Sequence, residues 1–167
     1  MREVADEAGI SPATIYRYFP SQEELFNEAF IQDISSASKA FEKMLENDEP
    51  VGIEDFAITF VKHLIENEST FQMMTYLMLK DNLAHPVMGQ FDSVTKIFFD
   101  LFTTLLERHG LTTEMARIYS HSFVASITGI LMTFRNHPLN DRDSARDHIL
   151  KIVKITSSLY SNQLLGK

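Results

Sequence analysis

One short segment groups side chains that suit contacts with a nucleic acid, residues 11 to 18 with the sequence SPATIYRY. Hydroxyl groups and a guanidinium can donate hydrogen bonds to phosphate oxygens or to base edges. Ile15 and Phe19 lie four residues apart, so in a helix they share one side, which we expect to be buried. The opposite side is then expected to be exposed, and it carries Pro12, Ala13, Thr14, Tyr16, Arg17 and Tyr18.

Other residues with chemical potential form weaker patterns. Among the six histidines, Asp81 with His85 and His63 with Glu66 have helical spacing, but no H-E-x-x-H or comparable metal-ligand set occurs. The serines lack a G-x-S-x-G nucleophile motif, and no glycine-rich phosphate loop exists. We therefore interpret the histidines as surface or capping residues and predict no metal, no cofactor and no enzyme activity. An all-helical enzyme remains the weaker alternative.

Composition limits the class of protein. The chain has 167 residues, 44% of them hydrophobic, which is enough for one domain or for a small domain fused to a larger one. The absence of cysteine excludes disulfides and thiolate zinc sites. With no secretory signal or membrane-spanning apolar run, we expect a cytoplasmic protein without a membrane partner. A net charge of −8 argues against extensive non-specific binding to nucleic acid. It is compatible with a small nucleic-acid-binding surface on one part of the molecule.

Apolar residues recur at spacings of three and four along almost the whole chain, so we predict an all-α fold. Arg108 and His109 followed by Gly110 predict one helix end, and Thr112 with Glu114 predicts the next helix start. Pro138 is expected to follow the end of that next helix. The predicted helices cover residues 2–8, 12–18, 22–46, 52–67, 69–84, 87–109, 112–136 and 142–165.

The first two predicted helices have the pattern of a helix-turn-helix unit. Gly9 stands where the chain must leave the first helix through a left-handed conformation, and Ser11 and Pro12 are a typical N-cap and first helical residue. Ser21 with Glu24 forms a capping box for the long helix over 22–46, whose free N–H groups suit a phosphate. We place a DNA-binding domain at 1–45 and a larger helical domain at 46–167.

Residues 4 to 25 read VADEAGISPATIYRYFPSQEEL, which resembles the DNA-binding signature of the TetR family of bacterial transcriptional regulators, IADEAGIS-x-x-T-[LI]-Y-x-[HY]-F-x-S-K-E-x-L. The resemblance implies a second, all-helical domain that binds a small effector and dimerises through the last two helices. It also implies base contacts at the start of the recognition helix, phosphate contacts from its threonine and tyrosines, and a guanine contact from an arginine. The implied DNA-binding set is Arg2, Ser11, Pro12, Ala13, Thr14, Tyr16, Arg17, Tyr18 and Gln22.

The chain departs from the family pattern in two ways. Gln22 stands where the family has a lysine that binds a phosphate. Its absence is expected to reduce the slope of log K against log salt for DNA binding by about one unit. The family also has a helix upstream of the segment where this sequence begins, which would cover Val4, Ile15, Phe19 and Phe26. We expect either a truncated or mis-started chain with a poorly ordered or repacked DNA-binding unit, or a functional short form.

The larger domain contains methionines and phenylalanines that can line an adaptable apolar cavity. Plain core packing is the alternative interpretation of the same residues. A lipophilic effector is expected, and a cationic one suits the acidic chain; Gln72, Tyr76, Asn82 and Gln90 are candidates for orienting it. The predicted pocket residues are Phe56, Phe60, Met73, Met74, Met78, Phe91, Phe98 and Phe102.

The last two helices are apolar over more than one face, which predicts burial by a second subunit in a homodimer. Gly129 within a helix costs about 1 kcal/mol relative to alanine, and a closely crossing partner helix would explain it. Relief of crowding inside one subunit is the alternative. The predicted interface residues are Phe123, Ile127, Gly129, Ile130, Phe134, Ile152, Leu159 and Tyr160.

Together these patterns predict a ligand-responsive transcriptional regulator. The resemblance implies a repressor whose dimer sets two recognition helices one DNA turn apart, about 34–36 Å, on a palindromic operator. A small-molecule effector would tilt the helix over 22–46, change that spacing and release the double-stranded DNA. A dimeric small-molecule sensor that no longer binds DNA is the main alternative.

Overall fold

The computed structural model describes residues 1–46, 51–135 and 141–165, and these contain eight α-helices and no strand. The all-α prediction is therefore confirmed. The predicted helix end at Asn136 and the role of Pro138 lie outside the described residues. The helices are α1 Arg2–Glu7, α2 Pro12–Tyr18, α3 Gln22–Glu46, α4 Ile53–Glu66, α5 Glu68–Leu79, α6 His85–Arg108, α7 Thr113–Phe134 and α8 Arg142–Leu165.

The turn between α1 and α2 is a Schellman motif. Gly9 has a φ of +66°, the left-handed region that favours glycine. The Ile10 N–H donates to the Ala5 carbonyl at 3.0 Å, and the Gly9 N–H donates to the Asp6 carbonyl at 3.2 Å. These two bonds satisfy the last carbonyls of α1 and set the direction in which the chain enters α2.

The start of α2 is capped as the sequence predicts. The Ser11 hydroxyl accepts a hydrogen bond from the Thr14 N–H at 3.1 Å, and Pro12 occupies the first turn. Ile15 is the buried residue of this helix, and Phe19 ends it in an extended conformation. The Ser11 cap and the extended Phe19 therefore determine where α2 begins and ends, and the burial of Ile15 determines which side of the helix is exposed.

One long helix connects this unit to the rest of the molecule. α3 has 25 residues and packs against α5 and α6. Its inner side buries Phe30, Ile34 and Phe41. Because these residues recur at spacings of four and seven, a single face of α3 enters the core over most of its length.

Aromatic rings form the centre of the core. Phe41 of α3 contacts Phe56 and Phe98 at centroid distances of 5.1 and 5.5 Å. Phe102 continues the series, 5.3 Å from Phe56 and stacked on Phe123 at 4.5 Å. The contacts are tilted, edge-on or stacked pairs within the range in which aromatic rings attract each other. They connect α3, α4, α6 and α7 through one continuous set of side chains.

The junction of α5 and α6 differs from the prediction. α5 ends at Leu79 rather than near residue 84, because Lys80 turns extended and Asn82 adopts a left-handed φ of +59°. Asparagine tolerates this conformation better than most residues. α6 begins at His85, two residues earlier than predicted, because Pro86 fits within the first turn of a helix.

The far end of α6 repeats the motif that ends α1. Gly110 has a φ of +94°, and the Leu111 N–H donates to the Leu106 carbonyl at 3.3 Å. The Thr112 hydroxyl then caps α7 by accepting from the Met115 N–H at 3.4 Å. The predicted end of α6 and the predicted start of α7 are therefore each confirmed to within one residue.

Phe102→Ala is expected to lower the free energy of unfolding by about 3–5 kcal/mol, because it removes a fully buried ring that contacts Phe56 and Phe123. Urea unfolding followed by circular dichroism, at one fixed protein concentration, measures the change. Leu79→Ala is the control, since Leu79 is 69% exposed and its loss should change stability by at most about 0.5 kcal/mol. Equal effects of the two substitutions would contradict a core centred on the phenylalanines.

Candidate nucleic-acid interface and effector cavity

The outer side of α2 presents a compact set of polar and aromatic groups. Tyr16 and Tyr18 are 51% and 66% exposed, and Ala13 and Arg17 are exposed beside them. Pro12 and Thr14 are half-buried at the start of the helix. The face is held outward because Ile15, on the opposite side, is only 5% exposed.

Two side chains on this face are already positioned by their neighbours. The Arg17 guanidinium lies 4.9 Å above the Tyr18 ring and donates to the Tyr18 hydroxyl at 3.2 Å. The Ser11 and Thr14 hydroxyls are 2.9 Å apart, and Ser11 is engaged as the helix cap. Ser11 therefore contributes mainly by orienting α2, whereas Arg17 and the tyrosines are available to a ligand.

The start of α3 lies next to this face. The Glu24 N–H donates to the Ser21 hydroxyl at 3.1 Å, so the serine half of the predicted capping box is present. Gln22 is exposed at the first position of the helix. Arg2, at the start of α1, is also exposed. Residues 1–30 contain two cationic side chains, Arg2 and Arg17, and six acidic residues. This segment therefore offers few positive charges to DNA phosphates.

The side chain of Glu23, in the first turn of α3, contacts residues of the larger domain. Its Oε1 accepts from the Tyr76 hydroxyl at 3.0 Å and lies 3.2 Å from Lys80 Nζ. A hydrogen bond from its own backbone N–H, together with those from Tyr76 and Lys80, holds the pKa of Glu23 below its ordinary value of 4.5. The hydrogen bond to Glu23, reinforced by Tyr76, holds the pKa of Lys80 above its ordinary value of 10.5.

A second polar contact joins α3 to the larger domain. Asn27 is 1% exposed, and its Nδ2 donates to Gln90 Oε1 of α6 at 2.8 Å. The contacts made by Tyr76 and Gln90 lie on either side of the connection 80–84, which carries the left-handed Asn82. The N-terminal half of α3 is thus anchored to the end of α5 and to the start of α6.

A small apolar cavity lies inside the aromatic core. Its volume is about 10 Å³, which is the space of about one water molecule, and no polar surface lines it. α4 and α6 supply the predicted pocket residues Phe56, Phe60 and Phe98. The sequence did not indicate the rest of the lining, which is Ala57, Phe123, Val124 and Ile127.

The other predicted pocket residues lie elsewhere. Phe102 is buried beside the cavity in the aromatic series, whereas Phe91 packs on Phe30 at 5.5 Å. Met74 is buried and Met73 is half-buried on α5. Met78 is 53% exposed and does not line the apolar cavity.

The predicted interface residues separate into two groups. Phe123 and Ile127 point into the chain's own core, where they line the cavity. Leu159 is 64% exposed, and Gly129 is exposed with no atom within 4 Å of the position a Cβ would take. No helix of the described chain therefore crosses closely at Gly129. The half-buried members of the predicted set are Ile130, Phe134, Ile152 and Tyr160.

Additional apolar side chains share this outer surface, and the sequence analysis did not include them among the interface residues. Ile118 and Met132 on α7 and Ile155 on α8 are large and exposed, as is Leu159. On α7, residues 118, 122, 125, 129 and 132 follow one another at spacings of three and four, which places them on one side of the helix. We name this surface, Ile118, Gly129, Met132, Ile155 and Leu159, the outer apolar face.

The histidines and carboxylates do not form a metal-binding cluster within the described ranges, where no group of three or more potential ligands occurs. His63 lies near Asp33 rather than Glu66, with His63 Nε2 and Asp33 Oδ2 3.4 Å apart. Asn67 Nδ2 is 3.1 Å from His63 Nδ1, and the Thr70 hydroxyl donates to Asp33. This arrangement ties α3, α4 and α5 together.

No described helix is long and apolar enough to cross a membrane.

Comparison with solved structures shows a shared fold. The transcriptional regulator FadR from Bacillus subtilis, in a crystal structure with stearoyl-CoA, superposes with a TM-score of 0.64. The alignment covers 90% of this chain and 84% of that chain at 15% sequence identity. At this identity the likeness concerns the all-α architecture of a helix-turn-helix unit joined to a larger helical domain. The search of the curated proteins found no match.

Residues 1–29 match the family model described as bacterial regulatory proteins, tetR family. The matched segment contains α1, α2 and the first part of α3, so it includes the exposed face of α2 and the Schellman turn that orients it. The family model describes regulatory proteins. The N-terminal match and the helix-turn-helix geometry together show that residues 1–29 are similar to the DNA-binding segment of bacterial regulatory proteins of the tetR family.

Proposed function

We propose that the chain is a ligand-responsive transcriptional repressor that binds a palindromic operator as a homodimer in the cytoplasm. The exposed side of α2 carries this proposal, because two local motifs present Tyr16, Arg17 and Tyr18 together on a short helix. Residues 1–45 act as the DNA-binding domain and residues 46–167 as the effector-binding and dimerisation domain. A small lipophilic effector releases the DNA.

The DNA contacts follow from the accessible groups. The start of α2, at Pro12, Ala13 and Thr14, approaches the base edges, and Tyr16 and Tyr18 donate hydrogen bonds to phosphates. Arg2 and Arg17 supply the guanidinium groups that can read guanine, each with about 1–3 kcal/mol of discrimination. Few cationic groups are present, so the affinity should depend on geometry and on two half-sites more than on total charge.

The outer apolar face supports the homodimer. Exposed Ile118, Met132, Ile155 and Leu159 are unusual on a free surface when they are grouped, and a second copy of α7 and α8 would bury them in an isologous four-helix contact. Gly129 leaves open space on this face, where a partner helix can approach closely. Phe123 and Ile127 are not part of this proposed interface, because they are core residues.

The apolar cavity supports a lipophilic effector. FadR, which shares the fold, is seen with stearoyl-CoA, a ligand with a long apolar chain. In this protein the cavity of about 10 Å³ is too small for such a group, so the surrounding rings must move when a ligand enters. Three of those rings, Phe56, Phe60 and Phe98, touch Phe41 of α3. Ligand entry therefore displaces the helix that carries the DNA-binding unit.

The contacts of Glu23 and Asn27 complete the proposed coupling. They hold the first half of α3 to the end of α5 and the start of α6, so a shift of those helices changes the position of α2. The effector alters DNA affinity only to the extent that it prefers one arrangement of α3 over the other.

Gln22→Lys tests the proposed phosphate contact at the start of α3. The substitution adds one cation at an exposed position beside α2, so the slope of log K against log salt should steepen by about 0.9. Fluorescence polarisation with operator DNA at several salt concentrations measures the slope. Gln163→Lys, which adds the same charge at an exposed position near the end of α8, is the control and should leave the slope unchanged. Equal slopes for the two variants would contradict DNA binding through this end of the molecule.

Leu159→Glu tests the dimer. A buried, unpaired carboxylate on the outer apolar face should dissociate the homodimer at micromolar concentration, because burial of an unpaired charge is costly. Light scattering gives the mass, with 19.1 kDa for one chain. Leu79→Glu is the matched control, since Leu79 is equally exposed but lies on α5 outside this face. A monomeric wild-type protein, or a dimeric Leu159→Glu variant, would contradict the proposed interface.

Tyr76→Phe tests the contact between α3 and α5. Loss of the hydroxyl removes a partly exposed hydrogen bond to a carboxylate and should cost about 1 kcal/mol at neutral pH. The lowered pKa of Glu23 means that this stabilisation is present above the ordinary value of 4.5 and is lost as the pH falls through the folded-state pKa.

Urea unfolding of wild type and Tyr76→Phe at neutral and acidic pH should therefore show a stability difference that shrinks with acidification. Tyr160→Phe is the control, because its hydroxyl lies 2.6 Å from the Ser122 hydroxyl and meets no carboxylate there. A Tyr76→Phe difference that stays constant below pH 4.5 would show that Glu23 is not its partner in solution.

A further inference from the structure

Asn27 of α3 holds a buried polar atom that lacks a hydrogen-bond partner. Its side chain is 1% exposed, and its Nδ2 donates to Gln90 Oε1 at 2.8 Å. The other polar atom of the same carboxamide, Oδ1, is buried and accepts no hydrogen bond from any described residue. Buried polar atoms are nearly always paired, because an unpaired one has lost its contact with water without replacement. The Asn27 carboxamide can therefore accept a hydrogen bond from a further donor.

An open groove lies next to this carboxamide, on the surface between α3 and α6. Its volume is about 490 Å³, within the range of about 300–1,000 Å³ typical of small-molecule sites. The exposed Gln90 side chain lines the groove and also contacts Asn27, so it connects the two. No role proposed above uses the groove. Its lining consists of Ile31, His85, Pro86, Gly89, Gln90 and Ser93.

One side of α6 and one turn of α3 form the walls of the groove. On α6, His85, Gly89 and Ser93 follow one another at spacings of four, so they share one side of the helix. No neighbouring atom lies within 4 Å of the position that a Cβ of Gly89 would take, so the groove is open at the backbone of α6 there. On α3, Ile31 lies one turn after Asn27 and contributes an apolar side chain on the same side of the helix.

The lining favours an uncharged, planar ligand. No carboxylate, lysine or arginine belongs to the described residues that line the groove, and Ile31 and Pro86 offer apolar surface to the face of a ring. A carboxamide presents a donor and an acceptor side by side, so its best partner carries an acceptor next to a donor on one edge. Asparagine makes this two-bond contact with the ring nitrogen N7 and the 6-amino group of adenine.

We propose that the groove binds an uncharged planar heterocycle of the aminopurine class. The exposed Gln90 side chain turns away and the ligand takes its place, so that Asn27 Nδ2 donates to a ring nitrogen and the amino group of the ligand donates to Asn27 Oδ1. Both polar atoms of the carboxamide are then paired, which the contact with Gln90 alone does not achieve. The site is independent of DNA binding, since none of its residues belongs to the proposed DNA-contacting set.

A ligand-detected NMR titration of the full chain with adenine tests the proposal. Adenine should bind at least about tenfold more tightly than purine, which lacks the amino group, and than 6-dimethylaminopurine, whose amino group has no N–H donor. Equal binding of adenine and 6-dimethylaminopurine would overturn the proposal. Adenosine keeps the same edge, so an affinity equal to that of adenine assigns a nucleoside as the ligand, and a weaker affinity assigns the free base.

Asn27→Leu tests the role of the carboxamide. Leucine is similar in size and has no polar atom, so the preference of about tenfold for adenine over purine should disappear. Gln163→Leu, which removes an exposed carboxamide near the end of α8, is the control and should keep the preference. Circular dichroism checks that each variant retains its helical signal. An unchanged preference for adenine in a folded Asn27→Leu variant would overturn the proposal.

Gly89→Phe tests the groove itself. A ring added at this exposed and open helical position should occupy the groove and weaken both adenine and purine by at least about tenfold. Gly89→Ala is the matched control, because a methyl group should change both affinities by at most about twofold. Gly89 lies on the surface, so its variants remain informative if Asn27→Leu fails to fold. Adenine binding that is unchanged in Gly89→Phe would overturn the assignment of the groove.

Discussion

The packing of α3 determines where α2 lies relative to the rest of the molecule. This 25-residue helix begins beside the exposed face of α2 and buries Phe30, Ile34 and Phe41 in the larger domain. Phe41 touches three of the rings that enclose the internal cavity. Any movement of those rings must therefore be absorbed by α3 or by the helices against which it packs, since protein interiors are close-packed.

The same constraint explains how an apolar interior can influence a polar surface at the other end of the helix. The core is nearly filled, so a ligand can enter only if the aromatic rings move. Contacts between the rings are then replaced by contacts between the rings and the ligand. Near the DNA-binding unit, Glu23 and Asn27 tie α3 to α5 and α6 through hydrogen bonds that depend on direction. Hydrogen bonds weaken steeply when their geometry is distorted, whereas apolar packing tolerates small displacements. A small shift of α3 is therefore expected to keep both of these contacts or to break both of them.

The sequence predicted best those features that depend on residues close together in the chain. Gly9, Ser11, Gly110 and Thr112 each form a cap or turn within a few positions, and the structure shows those local interactions. The cavity was predicted only in part because residues from α4, α6 and α7 meet there. α7 is apolar on two sides, so its pattern could not distinguish Phe123 and Ile127, which face the core, from Ile118 and Met132, which face outward. The early end of α5 depends on the left-handed conformation of Asn82, which has no strong signal in a single sequence.

DNA binding through α2 is tested most directly with the 167-residue chain and DNA from upstream of its own gene, by fluorescence polarisation at two salt concentrations against scrambled DNA. Specific binding that weakens as salt increases is expected if α2 binds DNA, since phosphate contacts release counterions. A folded dimer that binds the upstream DNA no better than the scrambled DNA would contradict the assignment of α2 as a working recognition helix.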